Sequence, residues 1–297
     1  MSSGISDPFG GVVISVFFSI LLLGAMIVQL YIYFDRYPKD NVWLKVFIVV
    51  LFTLDILNSV FTIMWVYKLL IDNFGNFVAL DKSDWTIMTD PLLTGVMTGM
   101  VQVFFAWKIW VLTKNYFYVG AILICALTSS AGGMATSIAG IPIVDSADWN
   151  ELRIKLFKFS LVWLAPATLG DLIITFVITI CLQRAKGSIR RTNRVLNRII
   201  RRLLTAIVAL IDLILCPAVE ASVQLECVAF ILPKLYTNSV LSSLNARQAH
   251  THDIEDEVNS LAIPWNSGEV LISVEYDSHE MRDPHNQKNA SITLSDD

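Results

Sequence analysis

The sequence predicts an all-α protein, a polytopic membrane helix bundle with seven transmembrane helices and a disordered C-terminal tail. Three observations predict this fold. The 297 residues are 55% hydrophobic and only 16% charged, too few charges to coat a soluble globule of this size. Several apolar runs are long enough to cross about 30 Å of hydrocarbon as helices. Finally, basic residues are concentrated in one linker between two such runs, which indicates an orientation.

The first four apolar runs are long and carry few charges. Gly10 to Phe34 is uncharged and much longer than the core of a signal peptide, so it predicts an uncleaved first span. A polar turn separates it from the second span, Trp43 to Tyr67. Lys68 to Asp90 has the aspartate-rich composition of an exposed loop. Pro91 to Leu112 is the third span, with a proline in its first turn where no helical N–H is lost, and Asn115 to Val144 is the fourth.

The last three runs are more broken. A loop of mixed charge, Ile141 to Lys158, precedes the fifth span, Phe159 to Gln183. Leu203 to Cys216 is apolar over only 14 residues, a length that equally suits a re-entrant or interfacial piece, so the sixth span is the weakest. Val223 to Leu241 is the seventh span.

The chain is expected to divide into a seven-span domain, residues 1–246, and an acidic tail, residues 247–297. Residues 1–246 hold 19 Lys and Arg against 15 Asp and Glu, whereas residues 247–297 hold 3 against 11. The tail has no sustained apolar pattern, so we expect it to be disordered. Its four histidines are scattered without rigid spacing, and we expect no metal site there.

The basic linker determines the predicted orientation. Arg184 to Arg202 contains eight Lys and Arg, and under the positive-inside rule it belongs in the cytoplasm. With seven spans, the N-terminus is then outside and the tail is cytoplasmic, in either the plasma membrane or an endomembrane. Asn289 lies in the chain's one Asn-x-Ser/Thr triplet, within the tail, so it should not be glycosylated.

The same linker also predicts a partner. Basic residues recur at helical spacing with apolar residues on the other side, a pattern that suits contact with anionic inner-leaflet lipid, with a cytoplasmic partner or with the acidic tail. A cytoplasmic partner of the tail is a separate expectation. Simple topological anchoring in the bilayer is the plainer interpretation. The basic residues concerned are Arg190, Arg191, Arg194, Arg198, Arg201 and Arg202.

Four polar residues are expected inside the apolar spans: Asp55, Asn58, Asp171 and Asp212. An ionised aspartate at the bilayer centre costs about 2.5 kcal/mol or more, so such residues are candidates for a ligand, proton or ion site. Asn58 follows Asp55 by three positions, on the same helical face, where the two could share a polar pocket. The alternative is hydrogen bonding between helices that only specifies packing, at about 1 kcal/mol or less per contact.

Lys234, in the seventh run, invites comparison with a lysine that carries a retinal Schiff base. The sequence argues against this chemistry because we expect no buried acid in the third span and because Lys234 directly follows Pro233.

Small residues predict where helices approach closely. Gly95 and Gly99 form a GxxxG motif in the third span, and Gly132, Gly133 and Gly140 give the fourth span a face of small residues. Packing within the bundle is favoured over a homodimer face, and the oligomeric state stays open. Tryptophans and tyrosines near span ends, Trp65 among them, suit the interfacial belt.

Several segments together resemble one family. They are Asp90 to Gly95, Gln102 to Lys108, Val195 to Arg201, Lys234 to Ser239 and Leu244 to Arg247. They are similar to multispan membrane proteins of mushroom-forming fungi that carry a domain of unknown function. The resemblance covers about residues 10 to 248 and implies a membrane architecture without an established activity. This chain looks shortened between the arginine run and residues 206–212, which again concerns the sixth span.

No catalytic, phosphate-binding or cofactor motif occurs in the sequence, so we expect neither an enzyme nor a nucleic-acid-binding protein, and no cofactor. Two classes stay open. A receptor-like sensor with a ligand site in the helix bundle is favoured by seven spans, a basic inner loop and a long tail. The alternative is a proton-coupled or small-solute transporter that uses the intramembrane aspartates.

Overall fold

A computed structural model describes residues 6–73, 84–144, 149–184, 205–211 and 229–246, all within one compact unit, Met1–Asp253. Within these ranges the regular elements are helices and no strand occurs, which confirms the all-α prediction. The six helices with defined ends are α1 (Ser6–Arg36), α2 (Val42–Tyr67), α3 (Thr89–Thr113), α4 (Tyr116–Val144), α5 (Trp149–Arg184) and α7 (Leu232–Asn245). The name α6 denotes the helical residues 205–211.

Five helical stretches of the described part are long and apolar enough to cross a membrane, so the chain is an integral membrane protein. They correspond to α1 through α5, in the order the sequence predicted: Gly10–Arg36, Val42–Asp72, Trp85–Thr113, Tyr116–Val144 and Ile154–Cys181. α7 has 14 residues and lies below that length.

Two predicted loops are wrong at their ends. The first loop was predicted to extend to Asp90. Instead, a 3-10 helix, Trp85–Met88, leads directly into α3, and Asp90 lies in the first turn of α3 with only 3% of its surface exposed. The helix α5 begins at Trp149, ten residues before the predicted fifth span. Glu151 and Lys155 therefore stand one turn apart, where their side chains pair at 2.7 Å, because oppositely charged residues at that spacing suit a helix.

Neighbouring helices from α2 to α5 run in alternating directions. Between α2 and α3, Phe47 stacks on Phe104 while Asn58 contacts Asp90, so residue numbers rise on one helix as they fall on the other. Helices α3 and α4 are likewise antiparallel, and so are α4 and α5. The close approaches that show this are Gly133 to Pro91, Gly99 to Ala126, Gly132 to Trp163 and Gly140 to Leu156. A short turn reverses the chain between α1 and α2. Helices α1, α3 and α5 therefore share one direction.

Helix α7 runs parallel to α1. The side chain of Asn238 donates from Nδ2 to the carbonyl of Leu22 at 3.0 Å, and that of Asn245 donates to the carbonyl of Gln29 at 2.8 Å. Both partners advance by the same number of residues in the same sense. It follows that α5 ends at one end of the bundle and α7 begins toward the other.

Small residues bring α3, α4 and α5 together, as the sequence predicted. A Cβ atom added at Gly133 would lie 2.5 Å from the carbonyl oxygen of Pro91, and one added at Gly132 would lie 2.7 Å from the backbone nitrogen of Trp163. Gly95 faces Gly133 across the same contact. These glycines therefore serve packing within the bundle.

One predicted interfacial residue is buried instead. Trp65 is 2% exposed because Phe230, just before α7, packs on it with ring centroids 5.5 Å apart.

Candidate functional site

The candidate site begins on α2, where two polar side chains share a buried face. Asp55 and Asn58 stand three residues apart and are 0% and 1% exposed. The two side chains share one cation, since a single ammonium group contacts both. That group belongs to α7.

Lys234 is the cation of the site. Its Nζ donates to Oδ1 of Asp55 at 2.5 Å, to the backbone carbonyl of Asp55 at 3.0 Å and to Oδ1 of Asn58 at 3.1 Å. An ammonium group has three protons to donate, so these contacts use all of them. The hydroxyl of Thr237, on the same helix, lies beside the Asp55 carboxylate.

The first turn of α7 explains why this lysine needs an acid. Lys234 is the third helical residue, after Pro233, and no side chain caps the helix start. The positive end of a helix dipole disfavours a cation in the first turn. The Asp55 carboxylate offsets that repulsion, so the ion pair fixes the start of α7 against the middle of α2.

Asn58 extends the contacts to α3. Its Nδ2 donates to Oδ1 of Asp90 at 2.7 Å, and the hydroxyl of Thr94 lies 3.4 Å from the same oxygen. The other carboxylate oxygen of Asp90, Oδ2, is buried and has no hydrogen-bond partner among the described residues. We call Asp55, Asn58, Asp90, Thr94 and Lys234 the α2–α3–α7 network.

Asp171 belongs to a second buried polar group, which lies on another side of α7. The hydroxyl of Tyr236 donates to its Oδ2 at 2.7 Å, and Nε2 of Gln102 lies 3.4 Å from its Oδ1. Gln102 also donates to the carbonyl of Ala167 at 2.8 Å. The group joins α3, α5 and α7, so α7 contacts both polar groups through residues two positions apart.

The structure thus brings together some predicted residues and separates others. Asp55 and Asn58 meet, whereas Asp171 belongs to the second group. Asp212 lies outside the described residues, and so do the six linker arginines, Arg190, Arg191, Arg194, Arg198, Arg201 and Arg202.

Sequence reasoning missed Asp90 and did not count Lys234 among the candidate site residues. Asp90 looked like the end of an acidic loop, although the uncharged residues just before it gave a signal that the chain had already entered the bundle. The objection that the third span lacks a buried acid was also wrong, because Asp90 is that acid and Asp55 directly pairs with the lysine. A single charged residue within an apolar run was the available signal for Lys234.

No cluster of three or more His, Cys, Asp or Glu within the described ranges has the geometry to hold a metal ion. A cavity of about 680 Å³ lies where α3, α4 and α5 meet, lined by residues such as Thr113, Tyr118, Phe176 and Cys181. It shares no residue with either polar group. The buried groups have the chemistry to bind a proton and to make or break an ion pair.

A known protein family matches the C-terminal part of the chain. No curated protein and no solved structure matches the chain. The matched stretch, residues 167–249, includes Asp171, Lys234 and Tyr236, and thus the α7 side of both polar groups. Residues 167–249 match the model of DUF6534, a family of unknown function.

Proposed function

We propose that this chain is a seven-span, receptor-like sensor in which the α2–α3–α7 network responds to a ligand inside the bundle. The observation that carries the proposal is the fully buried Lys234–Asp55 pair, which joins α7 to α2. We also propose that the whole transmembrane part resembles the multispan proteins of mushroom-forming fungi, since the DUF6534 match lies within the region of that resemblance.

Helix direction supports the count of seven. Because α7 is parallel to α1 and α5 is parallel to α1, the chain must return from one end of the bundle to the other between Arg184 and Leu232. One further crossing satisfies this requirement. Part of α6 packs against α5, where the hydroxyl of Thr168 lies 3.2 Å from the carbonyl oxygen of Ala209.

The energetics of buried ion pairs support a switching role over a purely stabilising one. Removing two charges from water costs several kcal/mol per ion, and well-packed apolar residues in their place are often neutral or stabilising by about 1–4 kcal/mol. The pair therefore adds little to the free energy of unfolding, but it specifies how α7 packs against α2. A change in ligand occupancy that separates Lys234 from Asp55 releases the first turn of α7, the helix that leads into residues 247–297.

The proposed orientation places those residues in the cytoplasm, where an acidic tail can contact a partner protein. The basic linker is on the same side, and its arginines bind anionic lipid of the inner leaflet at about 1 kcal/mol per charge. Movement of α7 is then transmitted to the cytoplasmic surface.

Spin labels at Arg36 and Ala246, at neighbouring ends of α1 and α7, test the sensor in nanodiscs containing the full chain. We compare the wild type with the double variant Asp55→Asn, Lys234→Met, in which both charges are absent. The matched control is Glu151→Gln, which breaks an exposed pair. A change in the label distance in the double variant alone supports the sensor. Identical distances in all three proteins contradict it.

A second candidate, a proton-coupled carrier, is favoured by the balance of buried charges. Among the described residues, the buried charged side chains are Asp55, Asp90, Asp171 and Lys234, three acids against one base. In proteoliposomes with an imposed pH gradient, a carrier dissipates the gradient and Asp171→Asn abolishes that flux. A wild type that leaves the gradient intact contradicts the carrier and leaves the sensor.

A further inference from the structure

We propose that Asp90 binds a proton inside the bundle, on carboxylate oxygen Oδ2, and that this proton is the ligand to which the α2–α3–α7 network responds. The inference deepens the proposed function, and it rests on that function for the response of α7. Occupancy of Asp90 by a proton is measured independently of any response.

The hydrogen-bond donors of Lys234 are all used by residues other than Asp90. All three protons of the Lys234 ammonium go to Asp55 and Asn58, so none is left for Asp90. Asn58 gives Asp90 a neutral amide proton instead, at 2.7 Å. The two acids of the network are thus unequal, since Asp55 has a cation in contact and Asp90 has only neutral donors.

One carboxylate oxygen of Asp90 has no hydrogen bond among the described residues. Oδ1 of Asp90 faces both Asn58 and Thr94, while Oδ2 is buried without a partner among the described residues. A buried ionised carboxylate with one bare oxygen is costly, because an acid in a membrane interior has no water to solvate its charge. Adding a proton at Oδ2 removes the charge and keeps both hydrogen bonds at Oδ1.

The groups around Asp90 include one further acid and one cation. Helix α2 faces Asp90 with Asn58 and, one turn further, Asp55, and α7 contributes Lys234. Helix α4 packs a glycine, Gly133, against Pro91, the residue after Asp90. With Asp55 ionised and Lys234 charged, the pair is neutral, so an ionised Asp90 would leave one uncompensated negative charge. A single proton makes the whole network neutral.

Loss of that proton has a defined consequence. An ionised Asp90 competes with Asp55 for Lys234 through Asn58, which contacts both the ammonium and Asp90. The ammonium is then drawn from α2 toward α3. Since Lys234 lies in the first turn of α7, the start of that helix moves with it.

Infrared spectroscopy of the full-length protein in nanodiscs tests the proton directly. A protonated carboxylic acid in an apolar site has a carbonyl stretch separate from those of carboxylates and amides, and it shifts in D₂O. We expect the wild type at neutral pH to show this band and Asp90→Asn to lose it. Asp171→Asn is the matched control, an equally conservative change at the other buried acid, and should retain it.

Each outcome decides the proposal. A wild type without the band, or a band of undiminished intensity in Asp90→Asn, overturns it, as does a band that sodium ions remove at constant pH, since Oδ2 would then be a metal-ion ligand. Should Asp90→Asn not fold, the folded fraction of Asp90→Ala takes its place, and absence of the wild-type band remains decisive. If the band is present but the α1–α7 label distance does not change with pH, the proton site stands and the sensor function fails.

Discussion

Lys234 and Asp55, 179 residues apart in sequence, form an ion pair in which both side chains are completely buried. The pair joins residues 167–249, the stretch that matches the DUF6534 family, to the second helix of the chain. It therefore couples the matched stretch to a part of the bundle outside it.

Removal of only one partner of this pair should destabilise the fold. We expect Lys234→Met to lower the free energy of unfolding by about 3–5 kcal/mol, because it leaves the Asp55 carboxylate buried without its cation. The double variant Asp55→Leu, Lys234→Met should recover most of that loss. Thermal unfolding in detergent measures both, and equal losses in the single and the double variant would refute the pairing.

The close contact between α4 and α5 gives a second prediction. Gly132→Ala adds a methyl group 2.7 Å from the backbone of Trp163, so the helices must separate. Gly120→Ala is the matched control on the same helix, since no atom lies within 4 Å of its added Cβ. We expect a lower melting temperature for Gly132→Ala and no loss for Gly120→Ala, whose alanine favours the helix by up to about 1 kcal/mol. Equal melting temperatures would contradict the packing described.

The second polar group predicts a cost for losing one hydroxyl. In Tyr236→Phe, Asp171 loses the donor that lies 2.7 Å from its Oδ2, which should cost about 1–3 kcal/mol because a buried acceptor is left without that bond. Tyr116→Phe, at a 74% exposed tyrosine, is the control and should change little. The difference in unfolding free energy between the two variants is the measurement. A difference near zero would remove Tyr236 from the site.

The proposed topology predicts which side of the membrane the tail occupies. With seven spans and an outside N-terminus, an epitope after Asp297 is protected from protease added to intact cells, and Asn289 carries no glycan. Permeabilising the cells should expose the epitope, which is the control for antibody access. An endoglycosidase shift of the tagged chain would rule out this topology.

The positions of α1 to α5 could be predicted from the sequence because bilayer thickness sets the length of an apolar run. The helix ends were less accessible. Glu151 and Lys155 look like loop residues by charge, yet their spacing lets them pair on a helix. Asp90 was missed for a related reason, since its own charge and the aspartates before Trp85 outweighed the uncharged residues of the 3-10 helix between them.

Two of the five residues of the α2–α3–α7 network could be predicted from the sequence. Asp55 and Asn58 are close in the chain, so helical periodicity places them on one face. Their contacts with Lys234 and Asp90 depend on how α7 and α3 pack against α2, and a single sequence holds no record of such distant pairing. The glycine faces were predictable because small residues at helical spacing have one main use in a bilayer.

The place of α7 in the chain has a consequence for biosynthesis. The ribosome makes Asp55 early, and its cation arrives only when residue 234 has emerged, after five long helices have entered the membrane. Until then α2 carries a buried acid without its cation, at a cost of about 2.5 kcal/mol or more if the carboxylate is ionised at the bilayer centre. We therefore expect a nascent chain that ends before Lys234 to be less stable in the membrane than the full chain.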